Sequence, residues 1–242
     1  MSAALLIARR ELASYLRTMS GYLIAAAVLL VDGILWNAFA LGTQQDKLSA
    51  VVLSDFFYFS SGTTMIAAVF LSMRLVAEER QSGTLVLLTS SPVRDREIVL
   101  GKFLSAFAFL ATITLATAFM PALIMVNGKL SIGQVAAGYL GLLLLGSAAL
   151  AIGTLGSALA RSQVLAAILS GSMLVGLIVV WLLAAVSERP LNDVFLALAL
   201  WGRHFPPFQA GVINLRDVAY YLLVTYFALF AATRVLEARR WQ

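Results

Sequence analysis

Long apolar runs separated by short polar intervals set the pattern of this chain. Gly21 to Leu41 is the first run long enough to cross about 30 Å of hydrocarbon as a helix. Further runs at about 56–76, 98–126, 135–159, 164–186 and 218–236 predict six transmembrane helices in all. The second run is diluted by Ser60, Ser61, Thr63 and Thr64, and the third carries Pro121 near its far end. Residues 1–18 mix Leu5, Leu6, Leu12 and Leu16 with Arg9, Arg10, Glu11 and Arg17, which suits a helix lying in the membrane interface. Most links are short, with tight turns at Asn127-Gly128-Lys129 and Arg161-Ser162-Gln163. The longest non-spanning interval is 187–217. Within it Val194 to Trp201 is apolar but too short to span, and reads as a dipping or interfacial helix ended by Pro206-Pro207.

Charge orients the array. Arg9, Arg10, Arg17, Arg74, Arg80, Arg94, Arg96, Lys102, Arg161, Arg234, Arg239 and Arg240 fall on the side of the N-terminus. Lys47, Lys129, Arg189, Arg203 and Arg216 fall on the other. Twelve against five predicts that both termini are cytoplasmic, and an odd number of spans would spoil the asymmetry. The 242 residues are 61% hydrophobic and 12% charged, far from a soluble domain's roughly 25% charged. The net charge of +5 lies beside apolar runs, which points to membrane orientation and away from nucleic acid. Without cysteine, disulfides, thiolate chemistry and Cys-ligated metals are excluded. No signal-peptide pattern opens the chain, so no processing is expected. The expectation is an all-α polytopic membrane protein, one domain over 1–242 with an N-terminal interfacial helix.

One polar interval differs from the rest. Glu78, Glu79, Arg80, Arg94, Asp95, Arg96, Glu97 and Lys102 bracket an apolar segment, Leu85 to Leu88. Exposing four large apolar residues in a solvated loop gains nothing. A short amphipathic helix over 78–93, loosened at its start by Gly83, stopped by Pro92 and held by another protein, accounts for them. An interfacial helix with no partner is the bland alternative.

The run Glu79-(x)3-Gly83-Thr84-Leu85, then Leu87-Leu88, Ser91-Pro92-Val93 and Glu97-Ile98-Val99-Leu100-Gly101-Lys102 resembles the signature of ABC-2 type permeases. These are membrane subunits of one class of ATP-binding-cassette exporters, and the likeness extends over the whole chain. Phe205-Pro206-Pro207-Phe208 to Tyr220-Tyr221 and Leu236-Glu237-Ala238-Arg239-Arg240-Trp241 are similar to the gliding-motility-type branch, which also resembles permeases of nitrous-oxide-reductase maturation. Val86 departs from the acidic residue often found there, making this helix more apolar. The resemblance implies a coupling helix seated in a groove of a separate ATPase subunit. Leu85, Leu87 and Leu88 would be its anchors, and Glu78, Glu79 and Arg80 would pair with the ATPase surface. It further implies a second permease copy or related subunit, a bacterial inner-membrane location, and room for an extracytoplasmic partner. No cofactor is expected in this chain, with ATP and Mg on the partner. A phosphate loop needs Gly-(x)4-Gly-Lys-Ser/Thr, and neither Gly101-Lys102 nor Gly128-Lys129 fits it.

Other residues carry weaker signals. Asp32 lies inside the first span, where a carboxylate costs about 2.5–3.5 kcal/mol or more unless paired or wet. A polar point on a path or subunit seam and a helix-bonded packing role are both open for it. Ala149, Gly153 and Ser157 recur every fourth residue, a small stripe that lets helices approach closely. His204, alone and beside Arg203 and Phe205, cannot build a metal site and reads as solvated or interfacial. A membrane enzyme would need a nucleophile and base or paired acids in the spans, which hold one Asp and no His. An ion-gradient-driven secondary transporter would usually show paired repeats with broken helices, and none is evident. A complex that turns ATP hydrolysis into mechanical work without substrate flux also fits the residues.

Overall fold

The span built from the smallest residues, at 132–159, is the one around which the others are arranged. In the computed structural model, residues 3–41, 48–83, 93–124 and 131–239 are described. Helix α1 spans Ala3–Arg17 and α2 spans Met19–Leu35, continuing through a π-helical turn at Trp36–Leu41. Then come α3 (Ser49–Ser72), α4 (Ala77–Gln81), α5 (Asp95–Ala116) and α6 (Phe119–Leu123). The remainder is α7 (Ile132–Leu159), α8 (Gln163–Val186), α9 (Leu191–Leu198), α10 (Pro206–Gln209) and α11 (Leu215–Arg239). Six of the described segments are long and apolar enough to cross a membrane, starting at Met19, Ser49, Asp95, Ile132, Gln163 and Leu215.

Why α7 is central follows from its sequence. Gly, Ala and Ser recur on every face, so neighbouring backbones come close from all sides, as membrane packing without a hydrophobic drive requires. It packs against α3, α5, α8 and α11. Most of it is buried inside the bundle, whereas α2 and α8 bury little and turn many of their Leu and Val side chains outward. Ser131 and Ser162 cap α7 and α8 by accepting from Gln134 N–H and Leu165 N–H. Glu97 accepts from Arg94 N–H at 3.1 Å and, with Asp95, places negative charge in the first turn of α5.

The segment after α9 folds back onto the bundle. Leu200, Phe205 and Phe208 are fully buried, and Tyr221 donates to the Leu200 carbonyl at 3.0 Å. Gln134 Nε2 donates to the carbonyls of Ala50 (3.0 Å) and Gln209 (2.9 Å), tying α3, α7 and α10 together. Two expectations are corrected here. Pro206-Pro207 starts α10 and does not end the preceding helix, which stops at Leu198, because proline at a first helical position has no N–H to lose. His204 is 2% exposed, not solvated. Its Nδ1 lies 2.7 Å from Asp217 Oδ1, and its ring stacks on Tyr220 at 3.8 Å between centroids. Asn214 Nδ2 holds the other Asp217 oxygen at 3.1 Å. The group latches the outer segment to the start of α11.

Candidate functional site

The second span does not run straight to its charged end. After Ser72 the helix breaks over Met73–Val76, then resumes as the five residues of α4. Neither glycine nor proline lies in this stretch; a side chain from α7 holds the break open. Ser157 Oγ accepts from the N–H groups of Val76 and Ala77, each at 3.1 Å, and donates toward the Met73 carbonyl at 3.4 Å. Backbone groups freed at membrane depth need such partners. The approach depends on Gly153, one turn earlier: a Cβ there would sit 2.1 Å from Ser72 Oγ. With Ala149, also fully buried, the small stripe of α7 is thus the bed on which α3 bends.

A buried ion cluster fixes α4 on its other side. Lys102, at the eighth position of α5, has only 3% of its side chain exposed. Its Nζ lies 2.8 Å from Glu79 Oε1 and 3.5 Å from Glu11 Oε1, so one ammonium joins α1, α4 and α5. Next to it, Arg74 grips Glu78 in a two-pronged pair (2.9 and 3.2 Å) and also donates to Ser20. Arg80 Nη1 donates to the Ala160 carbonyl at 2.7 Å, and Gln81 accepts from Gln163 N–H at 3.3 Å. Arg239 Nη2 donates to the adjacent Leu159 carbonyl at 2.8 Å. The Lys102 and Arg74 clusters border a polar cavity of about 220 Å³ lined by Glu11, Tyr15, Arg74, Glu79 and Lys102. Burial pushes the Tyr15 hydroxyl well above the ordinary phenol range, and its ring stacks on Phe109 at 5.1 Å.

Glu78, Glu79 and Arg80 are therefore engaged within the chain, in addition to any pairing with a partner's surface. Glu78 pairs with Arg74 and Glu79 with Lys102, while Arg80 donates to the Ala160 carbonyl and keeps its positive charge beside Arg161 and Arg239. The helix they belong to ends at Gln81, and Gly83 follows at φ +74°, the left-handed conformation that glycine adopts freely. Gly83 thus lies beyond the end of α4. Thr84, Leu85, Leu87, Leu88 and Pro92 lie outside the described residues.

Asp32 is 4% exposed and accepts from Thr63 Oγ1 at 2.6 Å, linking α2 to α3. It does not line the apolar groove of about 320 Å³ between the same helices, whose walls include Val28, Val31, Ile66 and Phe70. Sequence reasoning gives Arg74 and Glu11 no role in the site and treats Lys102 only as a flanking charge. A lysine so far into an apolar helix is itself a signal, because an unpaired charge there would be costly. No group of three or more His, Asp or Glu poised for a metal is found among the described residues.

The family described as ABC-2 family transporter protein matches residues 39–199, more than half of the chain. No curated protein matches it. With six helices long and apolar enough to cross a membrane, four of them packed against the small-residue span α7, the chain is a multi-pass membrane protein, and it belongs to the ABC-2 family of transporters.

Proposed function

We propose that this chain is the permease subunit of an ATP-driven complex in a bacterial inner membrane, of the gliding-motility-type branch. Two permeases, identical or related, sit on two separate ATPase subunits that carry ATP and Mg. Both termini face the cytoplasm, in keeping with the twelve-to-five distribution of basic residues. Leu85, Leu87 and Leu88 anchor the segment after Gly83 in an ATPase groove, and closure of the ATPase dimer pulls on that segment.

The observation that carries this reading is the junction at α4. Directly before the apolar signature, the chain is clamped to α1 and α5 through Lys102, to α7 through Ser157 and to the α7–α8 turn through Arg80. A segment anchored on so many helices transmits a displacement to the bundle instead of absorbing it. The movement does work on substrate exported through the membrane or on an extracytoplasmic partner. Co-purification tests the reading. Each anchoring leucine buries about 1.5–3 kcal/mol, so Leu87→Ala/Leu88→Ala should weaken ATPase association by more than tenfold with normal permease levels. Retention of the ATPase at wild-type strength by that variant would reject the docking role. An ion-gradient-driven transporter would work with no ATPase bound at all.

A further inference from the structure

We propose that the groove between α5 and α11, at the membrane face that carries both chain ends, binds an anionic phospholipid. The inference rests on the chain crossing a bilayer, and not on the docking of an ATPase.

Two helix ends form the groove. Helix α5 begins there with Arg96, followed one turn deeper by Leu100. Helix α11 finishes there with Arg234 and Glu237, preceded by Phe230 and Tyr226 on the same stripe. Residues 226, 230 and 234 are spaced by four, so they line up along one face. Together these side chains enclose a cavity of about 380 Å³. From Tyr226 to Glu237 the helix rises about 16 Å, close to the depth of one leaflet of a hydrocarbon core about 30 Å thick.

Charge and polarity are ordered along that depth. At the mouth, Arg96 is exposed and has no ion pair or hydrogen-bond partner among the described residues. Arg234 Nη1 lies 2.8 Å from Glu237 Oε2, while its guanidinium sits 5.0 Å from the Phe230 ring centre. Two guanidinium groups against one carboxylate leave the mouth net positive and short of one acceptor. Deeper in, Leu100, Phe230 and Tyr226 are 41%, 47% and 62% exposed. A soluble anion would use the mouth and leave the apolar depth idle. A phospholipid uses both, with its phosphate between the arginines and an acyl chain along Leu100 and Phe230. Basic pockets between transmembrane helices are the recurrent form of such lipid sites.

The test uses the full chain purified in mild detergent, titrated with dioleoyl phosphatidylglycerol or dioleoyl phosphatidylcholine. Bound lipid is counted by native mass spectrometry, with inorganic phosphate as a competitor. Each arginine contributes about fivefold to the preference for the anionic lipid. Arg96→Gln/Arg234→Gln should therefore lower phosphatidylglycerol affinity about 25-fold and leave phosphatidylcholine nearly unchanged. Glu237→Gln removes the competing carboxylate and should raise phosphatidylglycerol retention; it also keeps the test decisive if the double variant misfolds. Wild-type phosphatidylglycerol binding by the double variant, or no gain in Glu237→Gln, would overturn the proposal. So would displacement of the lipid by inorganic phosphate at equal concentration, which would mark a simple anion site. Loss of a bound protein from the double variant with lipid binding intact would make the groove a protein contact instead.

Discussion

Replacing Lys102 by methionine probes the junction at its centre. Methionine keeps the volume and removes the charge, leaving Glu79 and Glu11, 14% and 20% exposed, facing a site built for a cation. Removing one partner of a buried pair costs about 3–5 kcal/mol. Here the carboxylates border a polar cavity of about 220 Å³ that admits water, so the low end of that range applies. The expected loss is about 3 kcal/mol, which corresponds to a fall of about 6–12 °C in unfolding midpoint for a chain of this size. Glu79→Gln alone should cost less, since Glu11 still faces the ammonium at 3.5 Å. In Lys102→Met/Glu79→Gln the damage should be partly undone, because a neutral pair of similar shape leaves less uncompensated charge. A double-mutant cycle read by thermal unfolding in detergent should therefore give a coupling of about 1–3 kcal/mol. The same variants, assembled with the ATPase, should keep it bound while ATP turnover no longer responds to the permease. Additive losses in the cycle, or a Lys102→Met protein as stable as wild type, would refute the ion cluster as a structural joint.

Further expectations concern other parts of the chain. Single cysteines at Ser90 and Asp46 should label oppositely with an impermeant thiol reagent in intact cells, and reaction of Ser90 from outside would reverse the proposed topology. Asp32→Asn, which keeps a partner for Thr63 on α2, should stay within about 1 kcal/mol of wild type, whereas Asp32→Leu should lose about 1–3 kcal/mol from the lost bond between α2 and α3 and the repacking, the Thr63 hydroxyl then keeping only the Ser60 carbonyl; equal thermal midpoints would remove the α2–α3 link. Ser157→Ala strands two backbone N–H groups, at about 1–3 kcal/mol each, and should lower the midpoint more than Ser147→Ala, since Ser147 bonds only the Leu144 carbonyl and the Thr225 hydroxyl. His204→Gln should loosen residues 199–214, read as faster amide exchange there than in α7, and unchanged exchange would reject the latch with Asp217.

The six spans are legible in the sequence because burial in lipid needs only length and low polarity, and both are local properties. The bend after Ser72 is not legible. Ser72-Met73-Arg74-Leu75-Val76 contains no residue that breaks a helix, and the group that stabilises the break, Ser157, lies 81 positions after Val76. The stripe Ala149, Gly153, Ser157 announces a close approach, but spacing alone does not say that its last member accepts from two backbone amides. Glu78, Glu79 and Arg80 have internal contacts that the sequence does not announce. Charges beside an apolar segment suggest a surface, yet here Arg74 stands four residues before Glu78 and Lys102 faces Glu79 from the next span. The sequence does hold a clue to this pairing. Lys102 stands between Ile98-Val99-Leu100 and Phe103-Leu104, where an ammonium persists only with a carboxylate in reach. The nearest acidic residues by chain position are Glu97 and Asp95 at the start of the same helix, but the partners come from α1 and α4. Glycine explains why they can: a Cβ at Gly101 would meet the Ala4 carbonyl oxygen at 2.7 Å, so only glycine lets α1 cross α5 closely enough to bring Glu11 to Lys102. Gly101-Lys102 is therefore one device, the first residue admitting the interfacial helix and the second binding it to the turn before Gly83.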